Sequence, residues 1–332
     1  MPRLGAALPL HNLPPAQQVA YLIQAEASGY ESAWIPEVMG TDAFTVLAAA
    51  APQTQRLRLG TGIVPLYTRT PTTLAMTAAT LDALSGGRAI LGLGVSSEVI
   101  ISAWHGLPMP PPLRAMREGV EIIRRLLRNE RVHVEGQVFR VHNLRANVPL
   151  PPERTVPIYL GALNPGMLRL AGEIADGVLL NWLPVSQVGR VLEAIASGAQ
   201  RAGRRLADLD IACYIRTCVT DDPAAARQWL RRELTGYAIV DAYHAHFTAC
   251  GFGAESSACR SAWQQGDRAG AMQCLSEPML QAMAAVGSPE DCRASIDAFR
   301  QAGISLPVVF PFSPEAAPFP GLLHTMQSIA PD

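Results

Sequence analysis

Leu57-Arg58-Leu59-Gly60-Thr61-Gly62-Ile63-Val64 is one apolar run, and Ala89-Ile90-Leu91-Gly92-Leu93-Gly94-Val95 is another. Residues 72–84 lie between them, with Leu74, Ala78 and Leu81 repeating at helical spacing on one face. Gly86-Gly87 ends that helix, since glycine takes the left-handed cap without a Cβ clash. The flanking runs do not alternate, so both of their faces are buried. Strand, helix, strand with doubly buried strands predicts a parallel sheet covered by helices.

The scheme extends both ways. Residues 4–10 and 32–36 read as strands, and 16–28 and 43–52 as helical stretches. Further on, strands are expected at 157–163, 177–182, 209–219 and 306–312, and helices at 165–175 and 186–202. Ser288-Pro289-Glu290-Asp291 is a helix start, with an N-cap Ser, Pro in the first turn and acids facing the dipole. Eight strands favour a (β/α)8 TIM barrel, an α/β fold, over an open sheet. One domain over 1–332 is expected, with a hairpin excursion at 131–152 around Glu135-Gly136 and a mostly helical insertion at 222–285.

Composition narrows the function. The chain has 332 residues, 49% hydrophobic and 17% charged, which suits a large core and excludes general disorder. Its 27 Lys+Arg balance 28 Asp+Glu, so the basic excess of a nucleic-acid binder is missing. No run approaches the ~18 apolar residues of a membrane span. The first residues are too short an apolar run for a signal peptide, and a cytoplasmic protein is expected. Six cysteines without a CxxC pair read as reduced, buried residues. His244 and His246 are two apart on a helix and face different sides, and His133 and His142 read as solvated. No metal site is expected.

Barrel active sites gather at the C-terminal ends of the strands. Gly92-Leu93-Gly94-Val95-Ser96-Ser97 half-matches a dinucleotide fingerprint but lacks its third glycine. A tight turn explains it, as does backbone room for a flat cofactor. Gly60 and Gly62 weaken a strand unless its backbone must bulge or meet a ligand; a simple strand end is the other reading. Gly161-Ala162-Leu163-Asn164-Pro165-Gly166-Met167 joins a strand to a helix start, where free N–H groups suit a phosphate, or it is an ordinary loop. His105, after Trp104, could exchange a proton near neutral pH or stand as a structural corner residue. Trp182 could wall a pocket or pack against the insertion. Arg124, Arg125 and Arg128 form a basic stripe that could meet an acidic cofactor tail or stand as a solvated face.

Taken together, Leu59-Gly60-Thr61-Gly62-Ile63-Val64, Leu81-Asp82-Ala83-Leu84-Ser85-Gly86-Gly87-Arg88 and Leu91-Gly92-Leu93-Gly94 resemble the signature of the luciferase-like monooxygenase superfamily. Val95-Ser96-Ser97, Trp104-His105-Gly106, residues 171–182, Gly251-Phe252 and Gly287-Ser288-Pro289-Glu290 narrow the resemblance to its coenzyme F-420-dependent, methylenetetrahydromethanopterin reductase-like branch.

The resemblance implies a barrel with a deazaflavin at its mouth and a cis Gly62–Ile63 peptide, with Ile63 and Val64 bulging against the ring. It places Val95, Ser96 and Ser97 near the ring or ribityl chain. Gly161, Ala162, Leu163, Asn164, Gly166 and Met167 would cradle the phosphate. Glu37 matches an acid near the ring and, with His105, is the catalytic candidate. Pro9, Leu10, Tyr67, Trp104, Asn181 and Trp182 are expected around the substrate. The superfamily's sugar-phosphate dehydrogenase has His where this chain has Val38, and an acid where it has Ser97, which argues for a different substrate. Hydride transfer between coenzyme F-420 and a small alcohol, carbonyl, imine or C=C compound is the leading function. An FMN-dependent monooxygenase and a cofactor-less binding barrel are the alternatives. The superfamily's habit and a mean hydropathy of +0.14 imply a homodimer.

Overall fold

The computed structural model describes residues 3–9, 13–151 and 153–331. The apolar runs form parallel strands buried along nearly all their length: β1 (Gly5–Ala7), β2 (Ser32–Ile35), β3 (Arg58–Thr61) with its continuation β4 (Val64–Pro65), and β5 (Ala89–Gly94). An antiparallel hairpin, β6 (Arg131–Glu135) and β7 (Arg140–Arg145), follows as the excursion. The series resumes with β8 (Ile158–Gly161), β9 (Gly177–Leu180), β10 (Asp210–Val219), β11 (Ala284–Gly287) and β12 (Leu306–Pro311). Pairing runs β12-β1-β2-β3-β5-β8-β9, and β10 joins β9 to β12, so the ring closes. β4 pairs with β5, and β11 is an extra strand beside β10. Ala284 and Ala285, read as the end of the helical insertion, therefore begin a strand.

Helices cover the ring: α1 (Pro15–Ala27), α2 (Ala43–Ala50), α3 (Pro71–Ser85), α4 (Pro112–Leu127), α5 (Pro165–Ile174) and α6 (Val188–Arg201). The insertion holds α7 (Pro223–Ala238), α8 (Asp241–Ala249), α9 (Gly253–Gln264), α10 (Arg268–Gln273) and α11 (Glu277–Met283). α12 (Pro289–Gln301) and α13 (Pro318–Ser328) finish the chain's helices. Ser288 accepts from Asp291 N while Asp291 accepts from Ser288 N, completing the expected capping box. The insertion packs its own apolar cluster around Leu230, Phe247 and Leu280, joined by Trp182 and Phe312 from the barrel rim.

The junction of α3 and β5 explains why the Leu81–Arg88 string is so particular. Gly86 takes φ +67°, the left-handed cap. Asp82 accepts from Ala89 N at 3.3 Å. Arg88 turns back and donates to the carbonyls of Ser85, Leu57, Ala51 and Thr54 at 2.6–2.9 Å, and to Thr54 Oγ1. One guanidinium thus ties the C-terminal end of α3 to the loop entering β3.

At the N-terminal end of the barrel, Arg3 pairs with Glu31 at 2.7 Å and Asp210 at 2.6 Å, and Tyr159 Oη donates to Asp210 at 2.7 Å. Burial alone would raise the Asp210 carboxyl. The hydrogen bonds from Arg3, Ser305 and Tyr159 outweigh it and hold the group below its ordinary value.

The six cysteines are all free thiols, five of them buried. Among the described residues, no helix is long and apolar enough to cross a membrane.

Replacing Arg88 by Lys removes the planar fork that reaches several carbonyls at once. Arg88→Lys is expected to lower unfolding free energy by about 2–4 kcal/mol through lost charge-assisted bonds to buried carbonyls, read by urea denaturation. A change within experimental error would refute the junction's role.

Candidate active site

The chain departs from regular pairing between β3 and β4. The Gly62–Ile63 peptide is cis, as the resemblance implied. Gly62 N donates to Ile35 O at 2.7 Å, and Glu37 N donates to Ile63 O at 3.2 Å. From across the barrel, Tyr214 Oη donates to Gly62 O at 2.6 Å. A Cβ at Gly62 would lie 1.9 Å from that hydroxyl, so no side chain fits there.

Ile63 then fills a notch that its neighbours leave open. A Cβ at Gly94 would sit 2.5 Å from Ile63 Cδ1, and one at Gly161 would sit 3.2 Å from Ile63 Cγ2. Gly94 thus makes room for a side chain inside the barrel, while Gly92 makes room for the Thr61 carbonyl, 2.0 Å from where its Cβ would sit. Ile63 stays half-buried, while Val64 beneath it is buried and pairs with Leu93.

Around this notch lie the strand ends. Val95, Ser96 and Ser97 follow β5 and are half-buried. Ser96 has φ +60°, a left-handed conformation uncommon outside glycine. Residues 161–164 lead into α5. Asp42, Thr70, Asp222 and Ser288 cap the helices they precede, but Asn164 makes no capping bond to α5. Its Nδ2 donates instead to Ala242 O of α8 at 3.2 Å. The first-turn N–H groups of α5 therefore have no side-chain acceptor, which suits a phosphate. Together, the notch and the uncapped turn fit a flat ring with a phosphorylated side arm. Ala162 and Met167 are buried beneath this loop, and Leu163 and Gly166 are half-buried.

Several candidates take other roles than expected. The Glu37 carboxylate is committed: Arg69 grips its two oxygens at 2.6 and 3.0 Å, and Ala43 N donates to Oε2 at 3.0 Å. Its position argues against a free acid–base group and for holding the bulge through its backbone. His105 is exposed at the corner after a π-helical turn, Val99–Trp104, and Trp104 is 50% exposed. Tyr67 Oη donates to Pro110 O at 2.9 Å, tying the rim loops together, and burial pushes its phenol up to about 12. Pro9 is buried, and Leu10 lies outside the described residues.

Trp182 does not wall an open pocket. It is 1% exposed, has φ +52°, and packs against the insertion. Asn181 is also engaged at both ends of its amide: Oδ1 accepts from Arg216 at 2.7 Å, and Nδ2 donates to Tyr243 Oη at 2.9 Å.

Arg216 is the residue that the sequence reading missed. It is 1% exposed and lies 4.1 Å from the centre of the Trp182 ring and 3.9 Å from that of Phe310. Its partner is Glu233 of α7 at 3.2 Å, whose Oε2 has no hydrogen-bond partner among the described residues. Burial raises the Glu233 carboxyl against the opposing pull of Arg216. A lone charge in the otherwise buried run 211–219 was the available signal, because an isolated buried charge demands a partner. Tyr214 and Arg216 share one side of β10, so the polar pair sits one side-chain layer nearer the mouth than the Tyr214–Gly62 contact.

The insertion closes over this end of the barrel. His246 Nε2 contacts Trp182 O at 2.8 Å. With Asn164–Ala242 and Asn181–Tyr243, this docks α8 on the loops after β8 and β9.

Elsewhere, the excursion is the hairpin expected, with His133 and His142 exposed, but pairing brings together groups that are apart along the chain. His133, Glu135 and His142 present ligand-type atoms all within 4.8 Å of one another on the exposed hairpin. His142 Nδ1 is 3.1 Å from Glu135 Oε1. Spacing along the chain could not reveal a grouping made across two strands.

The family model described as luciferase-like monooxygenase matches residues 2–306. The chain belongs to the luciferase-like monooxygenase family. Within that family, it is 32% identical over 331 residues to a protein of Mycobacterium tuberculosis named as a coenzyme F420-dependent oxidoreductase, covering 92% of this chain and 94% of that one. It is 31% identical over 309 residues to the 5,10-methylenetetrahydromethanopterin reductase of Methanopyrus kandleri, covering 88% of each. The solved coenzyme F420-dependent tetrahydromethanopterin reductase of that organism superposes with a TM-score of 0.82 at 27% identity, over 99% of this chain and 97% of that one. The luciferase-like barrel is thus shared from end to end.

Two outcomes test the supports of the site. Tyr214→Phe should cost about 1–2 kcal/mol by leaving Gly62 O unpaired. Gly62→Ala should cost more. Combined, they should cost less than the sum of the two, by about 1 kcal/mol, since the hydroxyl that clashes is gone. Strict additivity in denaturation would contradict the contact.

Burial lowers the His246 pKa, against the hydrogen bond to Trp182 O. The folded value lies below the unfolded one, near 6.5. Its stabilising share is therefore complete above that pH and is lost as pH falls below it. His246→Gln keeps a donor for Trp182 O but does not titrate, and should flatten the loss of stability between about pH 7 and pH 5. Proteolysis of the insertion against pH reads this; identical wild-type and variant profiles would rule it out.

Proposed function

We propose that this chain is a coenzyme F-420-dependent oxidoreductase acting on a small organic substrate. The observation that carries the reading is the Ile63 bulge, seated on glycines at the barrel mouth beside the uncapped first turn of α5. Long, near end-to-end similarity to F420-dependent relatives supports it. Bound there, the deazaflavin would supply a hydride donor or acceptor at C5.

The chain's residues would supply the rest. Ile63, seated on Val64, would press one face of the ring and leave the other to substrate. Val95, Ser96 and Ser97 would meet its polar edge, and residues 161–167 the phosphate. Glu37 would act by position, through Arg69 and the bulge. His105, exposed at the rim, is the candidate to exchange a proton with a substrate oxygen or nitrogen. The Arg216–Glu233 pair with Asn181 would form a polar wall beneath the insertion. The substrate is an alcohol or carbonyl, an imine or a C=C compound. The reading includes a homodimer, for which Met76 and Leu84 of α3 offer exposed apolar surface.

Calorimetric titration with coenzyme F-420 and with FMN tests the cofactor. Tight binding of F-420 and weak binding of FMN is the expected outcome. Tight FMN binding with none of F-420 would overturn it in favour of a flavin-dependent monooxygenase. Binding of neither would favour a cofactor-less barrel.

A further inference from the structure

Outside the mouth, α4 and α5 leave a groove of about 450 Å³ between them. Its lining includes Arg114 and Arg117 of α4, Arg169 of α5 and Arg201 of α6. Two acids also line it, and both are committed. Glu118 accepts from the backbone N–H groups of Gln137, Val138 and Phe139 at 2.9–3.0 Å. Glu173 is paired with Arg117. Arg114, Arg169 and Arg201 form no ion pair or side-chain hydrogen bond among the described residues. A chain whose formal net charge is −1 thus gathers four arginines against two committed acids in one groove.

The upper end of the groove is set by Leu113 and Gly166. Gly166 belongs to the first turn of α5, the turn without a side-chain cap. From Gly166 to Glu173 the groove follows α5 for about 10 Å at the helical rise of about 1.5 Å per residue. An extended chain of two or three acidic units spans that length.

We propose that this groove binds a flexible polyanionic chain, the oligoglutamate tail of coenzyme F-420, as it leaves the phosphate site at α5. The inference rests on the cofactor reading above. Arg169 and Arg114 would meet the first carboxylates, and Arg201 those further along. Exposed Arg114 and Arg201 and half-exposed Arg169 can hold carboxylates without fixing one register, which suits tails of variable length.

The test compares F-420 carrying several glutamates with its form that keeps the phospholactyl group but has none. Binding is followed by titration of deazaflavin fluorescence, with no turnover needed. Wild type should hold the long-tailed form about tenfold more tightly at low salt, as several exposed charge contacts can supply. The gap should narrow as salt rises. It should close in the variant Arg114→Gln, Arg169→Gln, Arg201→Gln, whose affinity for the glutamate-free form stays unchanged and whose circular dichroism matches wild type. Equal affinity of wild type for both forms, or a gap that survives in the triple variant, would overturn the groove assignment while leaving the cofactor reading intact. Failure of both forms to bind would overturn the cofactor reading and this inference with it.

Discussion

A ring of eight tilted strands encloses a space of fixed width, which side chains must fill without voids or overlap. Here large rings and glycines divide that space. Trp34 lies where a Cβ at Gly60 would come within 2.8 Å, and Tyr159 where one at Gly177 would come within 2.4 Å. Ile63 occupies the room left at Gly94 and Gly161. The Tyr214 hydroxyl lies against Gly62 and bonds to its carbonyl. Trp34 and Tyr159 have their glycines on neighbouring strands and Tyr214 has its across the barrel, so the layers interlock around and through the ring. The bulge at the mouth is the top of that stack.

The site inherits its geometry from this packing. Glu37 and Ile35 grip the bulge from β2 and its outgoing loop, and Tyr214 grips it from the far side of the barrel. On the same strand as Tyr214, Arg216 reaches the insertion through Glu233 and the loop after β9 through Asn181. Barrel interior and insertion are therefore joined by a polar network as well as by the apolar contacts of Trp182 and Phe312. The arrangement places a closed, charged wall on the β9–β10 side. The exposed rim, with Trp104 and His105, lies after β5.

Much of this was legible in the amino-acid order. Unalternated apolar runs marked all eight barrel strands, because strands buried on both faces have no reason to alternate. Gly86-Gly87 and Ser288–Asp291 marked helix ends, because caps are local chemistry. Gly60 and Gly62 could be singled out as misfits in a strand, and Gly92, Gly94 and Gly161 as turn or loop positions with backbone room. Their motif strings, through resemblance, placed the bulge at Gly62–Ile63. The sequence alone thus determined the fold class, the order of elements and the region of the site.

Only the tertiary structure decided what each residue touches. Glu37 could not be seen to be held by Arg69, thirty-two positions away. Nor could Trp182 and Asn181 be seen to be enclosed by α8 and by Arg216 of β10. His133, Glu135 and His142 meet only through strand pairing. Arg114, Arg169 and Arg201 come from three helices, and their meeting in one groove is visible only once those helices are side by side. The physical reason is common to these cases. Periodicity and capping act over a few residues and are written along the chain, whereas hydrogen bonds, ion pairs and burial in a barrel join residues from different strands and helices.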